Sequence, residues 1–173
     1  MLDPKQAPLA ETWHIFVHHD SERDSYESSY FSVGVVSNVY QWLQFKQHLN
    51  PTDILCPPRK RFVHNGKVVS TLSLFRDGVL PKWEDPSNMH GNTFSVRGLT
   101  IEQSIVFWDT FMMAIAQDEF DETLMGVQVN WKFLQNTTLI RFDLWTSSST
   151  QYTSATLTEL LRSPLDFRKM TRT

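Results

Sequence analysis

Cysteine is nearly absent. Cys56 is the one thiol in 173 residues, so an internal disulfide framework is excluded. No run approaches the roughly 20 apolar residues that a membrane-spanning helix needs. The N-terminal MLDPKQAPLAETW lacks the basic start and apolar stretch of a secretory leader. Together these absences lead to the expectation of a soluble protein in a reducing, cytoplasmic setting. An excess of positive charge is missing too: 16 Lys and Arg against 19 Asp and Glu leave a net charge of -3. That argues against a broad basic surface laid over many phosphates, so any contact with RNA has to be local. Catalytic signatures are equally thin. His18, His19 and Asp20 sit together, but adjacent histidines on a strand point to opposite faces, and no second cluster completes a four-ligand metal site. Cys56, between Leu55 and Pro57, has no partner motif for nucleophilic catalysis, and the carboxylate cluster of a metal-dependent hydrolase is lacking. The chain does not read as an enzyme, and no cofactor or metal is expected.

Aromatic residues, by contrast, are plentiful at 13%, including six tryptophans and twelve phenylalanines. Most rings serve cores, yet aromatic faces also recognise bases by stacking without any need for high overall charge. With 40% hydrophobic residues the chain can bury the core of one domain, and residues 1–173 are expected to form it. Residues 1–11 are expected to be a flexible arm.

Trp13–His18 and Tyr30–Val36 alternate with the period of half-buried strands. Asn38, with Gln41 three residues on, opens a helix carrying Val39, Trp42, Leu43 and Leu49 at helical spacing, and Pro51 follows its end. Residues 51–71 form an insertion loop with three prolines, a basic run and an Asn-Gly pair that suits a small hairpin. Leu72–Phe75 reads as a short strand. The long loop RDGVLPKWEDPSNMHGN follows, then a strand over Thr93–Leu99. Thr100 and Gln103 make a capping box before a helix reaching about Ala116, with Ile101, Ile105, Trp108, Met112 and Ile115 on one face. MGVQVNWKFL and LIRFDLWT are alternating strands about a turn near Asn136 and Thr137. A third helix is expected over Ser154–Arg162, with DFRKM as a final edge strand. The sum is an α+β fold, a curved antiparallel sheet backed by about three helices on its convex face.

The segment LSLFRDGVLPKWEDPSN resembles the cap-binding loop of the eukaryotic translation initiation factor 4E family. PLAETW at Pro8–Trp13, IVFWDTFMMAI, GVQVNWK and the LWT ending at Thr146 extend the resemblance, in order and near the family's spacing, over nearly the whole chain. The resemblance implies that the protein binds the 7-methylguanosine cap of mRNA. N7-methylation leaves guanine with a delocalised positive charge, which favours electron-rich aromatic faces above and below it. A carboxylate at the ring edge can accept the N1 and N2 protons together, which adenine cannot reproduce. By resemblance Trp83 stacks on the base, Glu84 takes its edge, and Trp145 touches the N7-methyl group. The second stacking ring falls thirteen residues after Trp13, at Tyr26, chosen over Tyr30, which reads as an inward residue of the second strand. Tyrosine here departs from the commoner tryptophan and offers less stacking area. Lys132 and Arg141 match the cap-phosphate positions. If the turn is centred between Asn136 and Thr137 they face each other across the hairpin, an arrangement of like charges that an intervening phosphate would relieve.

Other departures mark a divergent member. His90-Gly91-Asn92-Thr93 replaces an Arg-Gly-Gly-Arg-like run, the tail after Trp145 is short, and Arg59, Lys60 and Arg61 lie in the insertion. On the opposite face the resemblance implies a site for a helix bearing a Tyr-x4-Leu-apolar motif, from a scaffold initiation factor 4G-like protein or a 4E-binding repressor. Its residues here are Pro8, Val39, Trp42, Leu43, Asp109 and Met113. The implied role is recruitment of capped mRNA to translation initiation; the alternative is a cap-binding repressor or a mainly protein-interacting paralogue.

Overall fold

The structure, a computed structural model, describes residues 7–19, 30–48, 63–133, 138–162 and 167–171. Eight antiparallel strands form one curved, unclosed sheet: β1 (Pro8–His19), β2 (Tyr30–Asn38), β3 (Val63–His64), β4 (Lys67–Arg76), β5 (Asn92–Arg97), β6 (Leu124–Phe133), β7 (Thr138–Thr146) and β8 (Arg168–Thr171). The order is β2-β1-β4-β6-β7-β5-β8, with β3 paired to β4. Among the described residues three helices accompany it: α1 (Val39–His48), α2 (Ile101–Ala116) and α3 (Ser154–Leu160). None of the described helices is long and apolar enough to cross a membrane.

Strand alternation divides the side chains between two faces. Trp13, Ile15 and Val17 of β1, Leu72 and Leu74 of β4, Val127 and Val129 of β6 and Phe142 and Leu144 of β7 join Trp42, Phe107, Trp108, Phe111 and Leu157 of the helices in one core. Among the described residues the other face carries no helix. There Phe16, Phe75, Val79, Met125 and Trp145 form a second, smaller cluster, with Tyr30 packed at its margin.

Local chemistry explains the boundaries. The Asn38 side chain accepts from the Gln41 amide at 2.9 Å, while Gln41 Oε1 accepts from the Ser37 amide at 2.8 Å, so the return bond of the cap falls one residue earlier than a capping box would put it. Thr100 and Gln103 complete a reciprocal box at 2.9 and 3.2 Å, and a second box joins Thr153 and Thr156 ahead of α3. Asn65 and Gly66, at φ 51° and 76°, supply the two left-handed residues of a tight turn between β3 and β4. The final strand pairs with β5 at the sheet edge.

Several expectations need correction. β1 begins at Pro8 because its edge pairs with Asn38, so the arm cannot extend to residue 11. β4 begins at Lys67 and takes the last part of the 51–71 insertion into the sheet as one side of the β3–β4 hairpin. Of the face expected on α2, Trp108, Met112 and Ile115 are buried, while Ile101 and Ile105 are only half-buried; Ser104, Phe107, Phe111 and Ala114 complete the buried side, because Phe107 and Phe111 bring larger apolar volume than the two isoleucines. The hairpin register also differs. Arg141 pairs with Asn130 and Lys132 with Leu139, so the turn is one residue earlier than expected and the two cations do not face each other.

Candidate functional site

Residues 77–91 connect β4 to β5, and Val79 ties this segment into the small cluster. Their first anchor is Arg76. Its guanidinium donates to the carbonyls of Leu124 at 2.5 Å and Asp121 at 2.7 Å, pairs with Glu11 at 2.6 Å and lies over the Trp13 ring. The basic residue of the LFRDG motif is thus a buried strut under the loop. Gly78, at φ 77°, turns the chain, and the Val79 amide closes back on the Arg76 carbonyl at 3.0 Å.

Two polar side chains then fix the loop from inside. The Asp85 carboxylate accepts from the amides of Leu80 and Ser87, both at 2.9 Å. Asn88, 1% exposed, donates its side-chain amide to the carbonyls of Leu80 and Lys82 at 2.7 and 2.8 Å. With its neighbours committed inward, the dipeptide Trp83-Glu84 is presented outward. Trp83 is 48% exposed, and Glu84 is exposed with no side-chain hydrogen bond among the described residues. Gly91 lets the loop close: a Cβ there would meet the Thr146 carbonyl at 2.0 Å.

Trp145 lies beneath. It is 3% exposed and packs edge-on to Phe75, with ring centroids 5.5 Å apart. Trp83 meets it from above at 5.7 Å, the planes inclined by 66°. Tyr30 borders the same cluster, its ring 4.7 Å from His18 and its hydroxyl accepting from Gln128 Nε2 at 3.4 Å. It therefore faces the floor of this site from the first position of β2. Tyr26 lies outside the described residues.

Along β7 from Trp145, Asp143 is 4% exposed and accepts from Ser95 Oγ at 2.5 Å and Asn130 Nδ2 at 3.0 Å. Its carboxylate also pairs with Arg141 at 2.7 Å. Lys132 is exposed on the same face, diagonal to Arg141. The residue directly across from Arg141 on β5 is Arg97, which the sequence reading passed over. Its signal was present: VRGLT puts an arginine at the exposed end of an alternating strand.

On the helix side, Lys46 of α1 and Asp109 of α2 pair at 3.1 Å. Leu43 and Val106 each lie one turn before that pair and are 54% and 65% exposed; Met113, one turn beyond Asp109, is 46% exposed. Pro8 is exposed and Val39 half-buried; the two come together because Pro8 pairs with Asn38 and the Val39 amide donates to the Ala7 carbonyl at 3.0 Å. Trp42 is not part of this surface. It is 3% exposed and packs on Phe45 in the core, because adjacent helix positions cannot share a face and the larger ring goes inside. Val106 is the surface residue that the sequence reading missed.

The sequence model described as Eukaryotic initiation factor 4E matches residues 8–172. Similar relatives include eukaryotic translation initiation factor 4E-4 of Caenorhabditis elegans, 28% identical over 120 residues that cover 68% of this chain and 51% of the relative. Another is eukaryotic translation initiation factor 4E of Candida glabrata, 34% identical over 89 residues, 49% of this chain and 41% of that one. The matched part thus spans about half or less of these curated relatives. Among solved structures, a complex of Ascaris suum eIF4E-3 with m2,2,7G cap superposes with a TM-score of 0.72 at 19% identity, covering 97% of this chain and 92% of that one. A schistosome eIF4E complexed with m7GpppA and 4E-BP gives 0.72 at 16% identity over 95% and 88%. These two show the fold, and the family model, matched from the first strand to the last, shows the kinship: the chain belongs to the eukaryotic initiation factor 4E family.

Proposed function

We propose that this protein binds the 7-methylguanosine cap of mRNA on the helix-free face of the sheet. The observation that carries the reading is the outward Trp83-Glu84 pair, held by Asp85 and Asn88 directly above Trp145. A cationic base stacked parallel to Trp83 would be inclined to Trp145 by the same 66°, so it would meet that ring through an edge. Cation and aromatic quadrupole attract there, which suits an N7-methyl group pointing at Trp145. The opposite edge, with N1 and N2, would then meet Glu84 in a charge-assisted pair. Tyr26 closes the second face of the base. The position of Tyr30 beside the Trp145 cluster favours a second reading in which Tyr30 supplies or supports that ring. Lys132 and Arg141 receive the triphosphate.

Relatives support this assignment: the Ascaris suum protein was solved with a cap, and a C. elegans eIF4E-3 was solved with a cap analog and the 4E-binding protein Mextli. The Leu43, Val106 and Met113 surface is proposed to hold a partner's apolar helix, and the whole to bring capped mRNA to translation initiation in the cytoplasm. A repressor that holds capped mRNA would use the same two surfaces, and the partner decides between them. The test is titration with 7-methyl-GTP: Glu84→Ala should weaken binding by roughly 1.5 to 3 kcal/mol, the contribution of a hydrogen bond to a charged group. Undiminished affinity in that variant would remove Glu84 from the site.

A further inference from the structure

Arg97 and Arg141 are direct cross-strand partners on β5 and β7. Side chains opposite each other in a ladder share a face, and like charges so placed repel. The face is fixed by the next pair along, Ser95 and Asp143, which are hydrogen-bonded on the helix-free side. Arg168 of β8 pairs with Ser95 from the other side and so points the same way. With Lys132 this makes four cations at one end of that face. Asp143 is the carboxylate among its described strand residues, and it is committed to Arg141. Arg97, Arg168 and Lys132 are exposed and make no ion pair among the described residues. A protein whose net charge is -3 has concentrated positive charge on four adjoining strands, β6, β7, β5 and β8, at a cost in repulsion.

We propose that Arg97 and Arg168 bind the backbone phosphates of the first nucleotides after the cap, continuing a path that Lys132 and Arg141 begin. The proposal rests on the cap reading for its starting point. Arg141 is four residues from Trp145 on one strand, about 13 Å away, a reach suited to a triphosphate leaving a base held over Trp145. The next strand, about 5 Å further toward the sheet edge, carries Arg97, and Arg168 lies on the strand beyond it. Such contacts read phosphate and carry no base preference.

The experiment compares 7-methyl-GTP, a capped pentanucleotide and the same RNA uncapped, each titrated across a range of salt, with the unaltered protein and with the double variant R97A/R168A. The capped RNA should bind the unaltered protein more tightly than 7-methyl-GTP does, and with a steeper salt dependence. Two phosphate contacts on a single strand add about 1.4 to the log-log slope, so between about 50 and 200 mM salt the advantage of the RNA should shrink roughly sevenfold. The double variant should keep its affinity for 7-methyl-GTP and its melting temperature, and lose the added slope. Equal salt slopes for capped RNA in the two proteins would overturn the proposal. If 7-methyl-GTP fails to bind at all, the cap reading falls separately. The uncapped RNA then decides: salt-steep binding that the double variant loses supports the phosphate row, and no difference overturns it.

Discussion

Trp83 leans edge-on against Trp145, centroids 5.7 Å apart, with one ring half in solvent and the other 3% exposed. The two tryptophans therefore have different duties. Trp83 can be lost without opening the core, whereas Trp145 joins Phe16, Phe75, Val79 and Met125 in a cluster that also supports the loop above it.

Trp83→Ala should consequently lower cap affinity by about 1 to 3 kcal/mol while leaving the melting temperature nearly unchanged. Trp145→Ala should cost about 3 to 5 kcal/mol of stability, because it empties a packed ring site. Thermal melts paired with 7-methyl-GTP titrations separate the two. Equal destabilisation by both substitutions would mean that Trp83 is a core residue.

Tyr26→Ala should weaken cap binding by roughly one to two orders of magnitude, the range for loss of one stacked ring, and Tyr26→Trp should retain or raise affinity. Tyr30→Ala, which removes packing beside His18 and Gln128, should first lower the melting temperature. If Tyr30→Ala abolishes binding at unchanged stability while Tyr26→Ala is silent, the stacking ring is Tyr30.

The helix-side surface gives an independent prediction. Leu43→Asp combined with Val106→Asp replaces two exposed apolar side chains beside the Lys46–Asp109 pair, and neither position is in the core. The double variant should lose binding to a peptide carrying the Tyr-x4-Leu-apolar motif while its affinity for 7-methyl-GTP stays the same. Retained peptide affinity would place the partner surface elsewhere.

Short-range chemistry in this sequence was readable, and long-range choices were not. The Thr100–Gln103 box and the Asn65-Gly66 turn each depend on neighbours within a few residues, and each was visible in the sequence. The pairing of Arg141 with Asn130 and Arg97 was hidden, because it depends on where one turn is centred and on which strand arrives from elsewhere in the chain. Arg76 entered the sequence analysis only as the basic residue within the LSLFRDG run. Only the fold brings it the carbonyls of Asp121 and Leu124 and the carboxylate of Glu11. On α2 nearly every face offers apolar residues, so periodicity alone could not choose between the Ile101–Ile105 and Phe107–Phe111 stripes. At the site, Trp83-Glu84 stood out by resemblance, while the roles of Asp85 and Asn88 in holding it emerge only from loop geometry.

The central claim is tested most directly by intrinsic tryptophan fluorescence during parallel titrations with 7-methyl-GTP and GTP. Because a cationic base stacks on Trp83 far more strongly than a neutral one, quenching should saturate with 7-methyl-GTP at concentrations where GTP has little effect. The same affinity for both nucleotides, or no quenching by either, would contradict cap binding at this site.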